Sequence, residues 1–197
     1  VTAPEVDTFG RRIVAGDYDL ALAPAHLALL AVQDAGWQPL ARYVPDTSVL
    51  LLARRDDVDA TPASLRNKAL ATHGRLRLSS VVAEHWLAGQ QLQAGRDYRP
   101  LETASPASAV QALVEGKADM AAVTLASMAQ ARRSHVEQVR IVHEIAPLPL
   151  LFFIARGDMT PVMREKIQRA LLAYQSPQGG RPVTADGQDL ASLEAYL

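Results

Sequence analysis

Apolar residues recur along this chain in two rhythms, and one compound phrase built from both occurs twice. Near the start, Phe9, Ile13 and Val14 are spaced as on one helix face. They lead into Gly16-Asp17-Tyr18-Asp19 and then the apolar run Leu20-Ala21-Leu22-Ala23. About halfway along, Val110, Leu113 and Val114 lead into Gly116-Lys117-Ala118-Asp119 and then Met120-Ala121-Ala122-Val123. Glycine ends a helix readily because it takes a left-handed backbone at little cost. The four apolar residues after each aspartate are too few for a helix and suit a buried parallel strand. A second helical pattern follows each copy, over residues 26–35 and 125–133. Each copy therefore predicts helix–Gly–x–x–Asp–strand–helix, a unit of an α/β sheet. Two such units far apart predict two α/β lobes.

The same rhythms predict the remaining elements. The first helix covers residues 6–14 and its strand 18–23; the next helix stops at Gly36, and a short strand follows at 39–43. Residues 48–54 form a strongly apolar strand, Val49 to Leu52, ending Ala53-Arg54-Arg55-Asp56. A near-copy follows later, Leu151-Phe152-Phe153-Ile154 with Ala155-Arg156-Gly157-Asp158. These similar strands bracket the middle of the chain. They are expected to lie side by side as a two-strand hinge between one lobe of residues 1–52 plus 150–197 and another of residues 53–149.

In the middle, Thr61-Pro62 opens a short helix, with threonine as cap and proline in the first turn. Residues 69–72 predict a strand. Ser79-Ser80 start a helix whose apolar face pairs Val82 with Trp86 and Ala83 with Leu87. A strand at 98–101, a helix from Ser105-Pro106 and a strand at 138–145 follow, and Pro147 and Pro149 mark the return. Thr160-Pro161 then caps a helix over 162–174 with Met163, Ile167, Leu171 and Tyr174 on one face. Residues 176–186 read as a loop and 190–197 as a short closing helix. Trp86 and Tyr174 are expected in the core.

Composition narrows the possibilities. The 197 residues are 49% hydrophobic, largely alanine and leucine, with 5% aromatics. A net charge of −1 predicts no nucleic-acid partner. No apolar run approaches the ~20 residues that span a bilayer, and no signal peptide opens the sequence. With no cysteine, disulfides, zinc–thiolate sites and cysteine nucleophiles are excluded. His26, His73, His85, His135 and His143 show no metal-binding spacing. No nucleotide-type glycine-rich loop or G-x-S-x-G is present, so neither a cofactor nor a metal is expected.

Four stretches together carry a family resemblance. They are Ala15-Gly16-Asp17-Tyr18-Asp19-Leu20-Ala21; the strand ending Arg54-Arg55-Asp56 with the Pro62 helix; Leu78-Ser79-Ser80 running to Trp86-Leu87 and Gly95-Arg96-Asp97-Tyr98; and Ala109-Val110 through Val123 to the Pro161 helix. In order and spacing the chain resembles the solute-binding proteins of phosphate, phosphite and phosphonate ABC transporters. The resemblance implies the type II periplasmic-binding-protein fold. It also implies a periplasmic or extracytoplasmic location, a small anionic ligand, a membrane permease as partner, and a monomer. Two departures stand out. The family's first strand and helix have no counterpart before Phe9, and the histidine that often follows the serine before the Gly-x-x-Asp helix is Pro106 here.

In open parallel sheets, ligands sit beyond the C-terminal strand ends, where helix N-termini present free N–H groups to anions. Ser79 and Ser80 fit both conditions, and their hydroxyls add donors without charge; helix capping is the simpler role for such residues. Ser105 and Thr124 lie at comparable strand-to-helix junctions. Thr47 and Ser48 enter the apolar strand, and His26 stands at a strand end in the first lobe. Asp19 and Asp119 lie at the opposite ends of their strands and are expected to accept hydrogen bonds from nearby backbone N–H groups, not to act in catalysis. Arg132-Arg133, ending a helix, are expected to complement its dipole. The expected function is capture of a small anion by hinge closure without chemistry. A ligand-sensing domain of a signalling protein such as a sensor histidine kinase, and an enzyme on the same fold, are the alternatives.

Overall fold

The computed structural model describes residues 5–128, 131–176, 180–191 and 193–194. Its contacts divide the chain into two units. One is Thr47–Pro147; the other combines the residues up to Asp46 with those from Leu148 on.

The first unit opens with α1 (Val6–Val14), β1 (Leu20–Pro24), α2 (Ala25–Ala35) and β2 (Gln38–Val44). The second holds β3 (Thr47–Arg54), a 3-10 turn at Pro62–Leu65, β4 (Ala69–Thr72), α3 (Leu78–Gly89), β5 (Arg99–Glu102), α4 (Pro106–Val114), β6 (Met120–Thr124), α5 (Leu125–Met128), α6 (Arg133–Val136) and β7 (Val139–Leu148). The chain then returns to the first unit through β8 (Leu151–Ala155), α7 (Pro161–Leu172), β9 (Arg181–Thr184) and α8 (Gly187–Ala191). Both lobes are thus α/β, as the repeated phrase predicts.

Helix ends follow local chemistry. Gly36 ends α2 in the left-handed region at φ 67°, and the N–H of the following Trp37 returns to the Ala31 carbonyl at 3.2 Å. Ser105 and Thr160 cap α4 and α7, their hydroxyls accepting the N–H of Ser108 and Met163.

The second unit's sheet runs β5-β4-β6-β3-β7, with β4 parallel to both β5 and β6 and β3 antiparallel to β6. β6 is buried throughout and β3 everywhere but Arg54, as suits strands covered on both faces. On one side Leu50, Leu52, Ala121 and Val123 pack against Ala109, Val110 and Leu113 of α4. The first unit's sheet runs β1-β8-β2-β9, and every pairing in it is antiparallel. Each unit holds one tryptophan: Trp37 is buried in the first, and Trp86 stacks on His143 at 4.1 Å in the second.

Several expectations are corrected. The similar strands β3 and β8 do not lie side by side. β3 sits between β6 and β7, and β8 between β1 and β2. Their likeness has another cause: each is the antiparallel neighbour of a Gly-x-x-Asp strand, β3 of β6 and β8 of β1. The chain changes unit between Asp46 and Thr47 and again between Pro147 and Leu148. The strands following the first crossing and preceding the second, β3 and β7, are neighbours in one sheet.

β1 is neither parallel nor fully buried. It is an edge strand among the described residues, and Leu20 and Leu22 are exposed. The helix expected over 125–133 is two short ones, so Arg132 and Arg133 start α6 instead of ending a helix; Arg133 pairs with Glu137. α7 buries none of its residues, and Tyr174, past its end, is exposed. Near the C-terminus the described helix is α8, and residues 195–197 of the expected closing helix lie outside the described residues.

Candidate functional site

Strand polarity sets the geometry. Because β4, β5 and β6 run parallel and β3 opposes β6, the C-terminal ends of three strands and the N-terminal start of β3 share one end of the second unit's sheet. From that end β4 leads to α3, β5 to α4 and β6 to α5. Thr124 lies opposite Val49, which places Ser48 and Thr47 just beyond it. The structure therefore brings together Ser79, Ser80, Ser105, Thr124, Thr47 and Ser48. His26 is buried at the start of α2, in the other unit.

The hydroxyls at this end differ in what occupies them. Ser105 accepts the Ser108 N–H at 3.0 Å, and its Oγ lies 2.8 Å from Ser108 Oγ. Thr124 repeats the arrangement, accepting the Ser127 N–H at 3.1 Å with the two hydroxyls 2.7 Å apart. Thr47 Oγ1 accepts the Ala126 N–H at 3.3 Å. These three act as caps. Ser80 does not: it is 0% exposed, and its Oγ has no hydrogen-bond partner among the described residues. Most buried polar groups are paired, so this hydroxyl stands out. It belongs to the first turn of α3, where N–H groups lack intrahelical acceptors. The Ser80 N–H reaches the Arg77 carbonyl at 2.9 Å, while those of Leu78 and Ser79 find no acceptor among the described residues.

The connection from β4 to α3 carries His73, Arg75 and Arg77. His73 Nδ1 lies 3.3 Å from the Thr103 carbonyl, which can only accept, so a hydrogen bond between them uses a proton on Nδ1. Thr103 also donates from its hydroxyl to the Thr72 carbonyl at 2.9 Å, tying the ends of β4 and β5. Glu84, further along α3, has its carboxyl pushed up by burial, with Arg75 pulling in the opposite sense. Among the described residues, no three His, Cys, Asp or Glu side chains are grouped to hold a metal. The chemistry on offer is hydrogen-bond donation from neutral hydroxyls and backbone N–H groups, which suits an oxyanion.

The sequence does not single out Thr72, Thr103, Ser108 or Ser127. Ser105/Ser108 and Thr124/Ser127 share a three-residue spacing from the capping residue, and that was the available signal.

Each of the two aspartates sits at the start of its own strand, and within the second unit Asp119 is at the opposite end of the sheet from these hydroxyls. Asp119 Oδ2 accepts the Ala69 N–H at 2.9 Å, a backbone partner as expected. Asp19 differs: its carboxylate meets the Arg156 guanidinium at 3.1 Å.

Residues 1–195 match the family described as "ABC transporter, phosphonate, periplasmic substrate-binding protein". No curated protein matches the sequence. Among solved structures, a Xanthomonas citri protein bound to chloride aligns at TM-score 0.84 and 20% identity, over 100% of this chain and 82% of that one. A binding-protein component of an ABC phosphonate transporter from Pseudomonas aeruginosa aligns at 0.80 and 15% identity, over 98% and 72%. PhnD1 of Prochlorococcus marinus, in complex with methylphosphonate, aligns at 0.79 and 10% identity, over 100% and 83%. At these identities the likeness establishes the fold.

Proposed function

This chain belongs to the periplasmic substrate-binding proteins of phosphonate ABC transporters, and we propose that it captures a small phosphonate- or phosphate-like oxyanion at the Ser79–Ser80 turn. The observation that carries this reading is Ser80: a fully buried hydroxyl without a partner, in the first turn of a helix beyond the C-terminal end of a parallel strand. A bound oxyanion would accept from Ser80 Oγ and from the Leu78 and Ser79 N–H groups, and would lie favourably on the helix dipole. Ser105, Thr124, Thr47 and Ser48 are further contacts at the same end, and His26 is the first unit's candidate. The methylphosphonate complex of PhnD1 makes an alkylphosphonate the natural first probe.

Capture proceeds without covalent chemistry. The protein acts outside the cytoplasm, as a monomer, and delivers its ligand to a membrane permease. No helix among the described residues is long and apolar enough to cross a membrane.

A thermal-shift panel of phosphate, phosphite, methylphosphonate, sulfate and acetate tests the reading. A phosphorus oxyanion at 100 times its dissociation constant should add about 2.7 kcal/mol of stability. Stabilisation by acetate or sulfate with none by any phosphorus oxyanion would reject the ligand class.

A further inference from the structure

α3 packs over β6 and β3, and its two edges differ in chemistry. At about 100° per residue, Ser80, Glu84 and Leu87 fall in one row, and Trp86 lies about 120° or more from Ser80 and Glu84. Trp86 stacks on His143 of β7 at 4.1 Å. β7 and β5 are the two ends of this sheet among the described residues. The Ser80–Glu84 row is therefore turned toward β4 and β5. Tyr98, just ahead of β5, lies on that side. Burial, and after it the Glu84 charge, push its phenol pKa up.

The buried side-chain polar atoms of the second unit that lack a hydrogen-bond partner among the described residues are Ser80 Oγ and Tyr98 OH. Glu84 is within reach of both. It stands one turn, about 6 Å along the axis, past Ser80, and helical side chains lean back toward the N-terminus. Burial pushes its carboxyl up, and Arg75 pulls it down. Arg75 in turn donates its backbone N–H to Glu102 at 3.3 Å. His85, the next residue of α3, is exposed. A neutral carboxyl group both donates and accepts, whereas a carboxylate only accepts.

We propose that Glu84 is a positioning residue for oxyanion capture: neutral, it donates to Ser80 Oγ and accepts from Tyr98 OH, so that the Ser80 proton is turned to the bound anion. The inference rests on capture at the Ser79–Ser80 turn. One chain then gives both orphaned hydroxyls their partners. Tyr98 donates to Glu84, Glu84 to Ser80 and Ser80 to the ligand, and each group spends one proton. Ionised, Glu84 has nothing to donate to Ser80 and places a like charge one turn from the anion. A bound anion therefore raises the Glu84 pKa further. Capture is strongest below the folded pKa of Glu84 and weakens as pH rises through it, so ligand and proton are taken up together.

Titration calorimetry with methylphosphonate, from about pH 5 to about pH 8, on wild type, Glu84→Gln and Ser80→Ala tests this. The ligand's own ionisation is common to all three proteins, so ratios of dissociation constants remove it. Glutamine keeps a donor and an acceptor at every pH. If binding raises the Glu84 pKa by about one unit, wild type should lose about tenfold in affinity relative to Glu84→Gln as pH rises across this range. Carboxyl-carbon NMR should show Glu84 titrating above the ordinary carboxylate range, and higher still with methylphosphonate bound. Tyr98→Phe should weaken binding in the wild type but not in Glu84→Ala. Parallel pH profiles for wild type and Glu84→Gln, with Ser80→Ala binding weakly, would overturn the role of Glu84 and leave the anion site standing. Methylphosphonate binding that is absent from wild type, or unaffected by Ser80→Ala, would overturn the site itself and the proposal with it.

Discussion

Replacing Ser80 by alanine should move stability and affinity in opposite directions. In the ligand-free protein Ser80 Oγ is buried without a partner. Burying an unpaired hydroxyl costs about 1–3 kcal/mol. Alanine removes that cost and leaves a void of one oxygen atom, so a gain of about 1 kcal/mol is expected. For a chain of this size that raises the Tm by about 2–4 °C. In the complex, the same hydroxyl would donate to a charged oxygen, a bond contributing about 1.5–3 kcal/mol. Its loss weakens binding by about ten- to a hundredfold. The two effects cross. Ligand at 100 times the wild-type dissociation constant adds about 2.7 kcal/mol to the wild type. If affinity falls about 30-fold, the same concentration adds only about 0.9 kcal/mol to the variant. The variant should therefore melt higher than wild type without methylphosphonate and lower with it. Scanning and titration calorimetry on both proteins measure this directly. A variant that is less stable without ligand, or that binds methylphosphonate with wild-type affinity, would refute the role given to Ser80.

Asp119→Ala should lower stability by about 1–2 kcal/mol, since the Ala69 N–H loses its carboxylate partner. Oxyanion affinity in titration calorimetry should stay within a few-fold. Gly157→Ala should destabilise the first unit by about 1–3 kcal/mol, because the new Cβ strikes the Gly36 carbonyl; urea midpoints give the loss. Glu84 has a raised carboxyl pKa because burial disfavours its charge. Its contribution to folding is therefore present in acid and lost as pH rises through the folded pKa. Glu84→Gln should accordingly stabilise the protein at pH 7 but not below the ordinary carboxylate range, as melting curves at the two pH values would show.

Much of this fold is legible because local chemistry and packing agree. α1 falls on Val6–Val14 and β4 on Ala69–Thr72, where periodicity and punctuation coincide. The misreadings share one physical origin. A strand's composition reports how well it is covered, not which strand lies beside it. Val49–Leu52 and Leu151–Ile154 look alike because both are interior strands next to a Gly-x-x-Asp strand, and likeness alone suggested that they pair with each other. Leu20–Ala23 is apolar enough for an interior strand, yet its neighbours are supplied by distant residues. The candidate site shows the same limit. Ser79 and Ser80 are recognisable as a helix start, but only burial and hydrogen bonding separate Ser80 from the capping hydroxyls of Ser105 and Thr124.

The scarcity of aromatic residues gives this protein an optical simplicity. Trp37 lies in the apolar interior of the first unit, and Trp86 lies face to face with an imidazole in the second. A chain changed only at Trp37 would emit from the second unit alone, and one changed at Trp86 from the first. Two single-tryptophan proteins would thus follow the unfolding of each half separately, with no external dye. If the halves melt at different temperatures, two emission curves would reveal it where a single calorimetric peak conceals it.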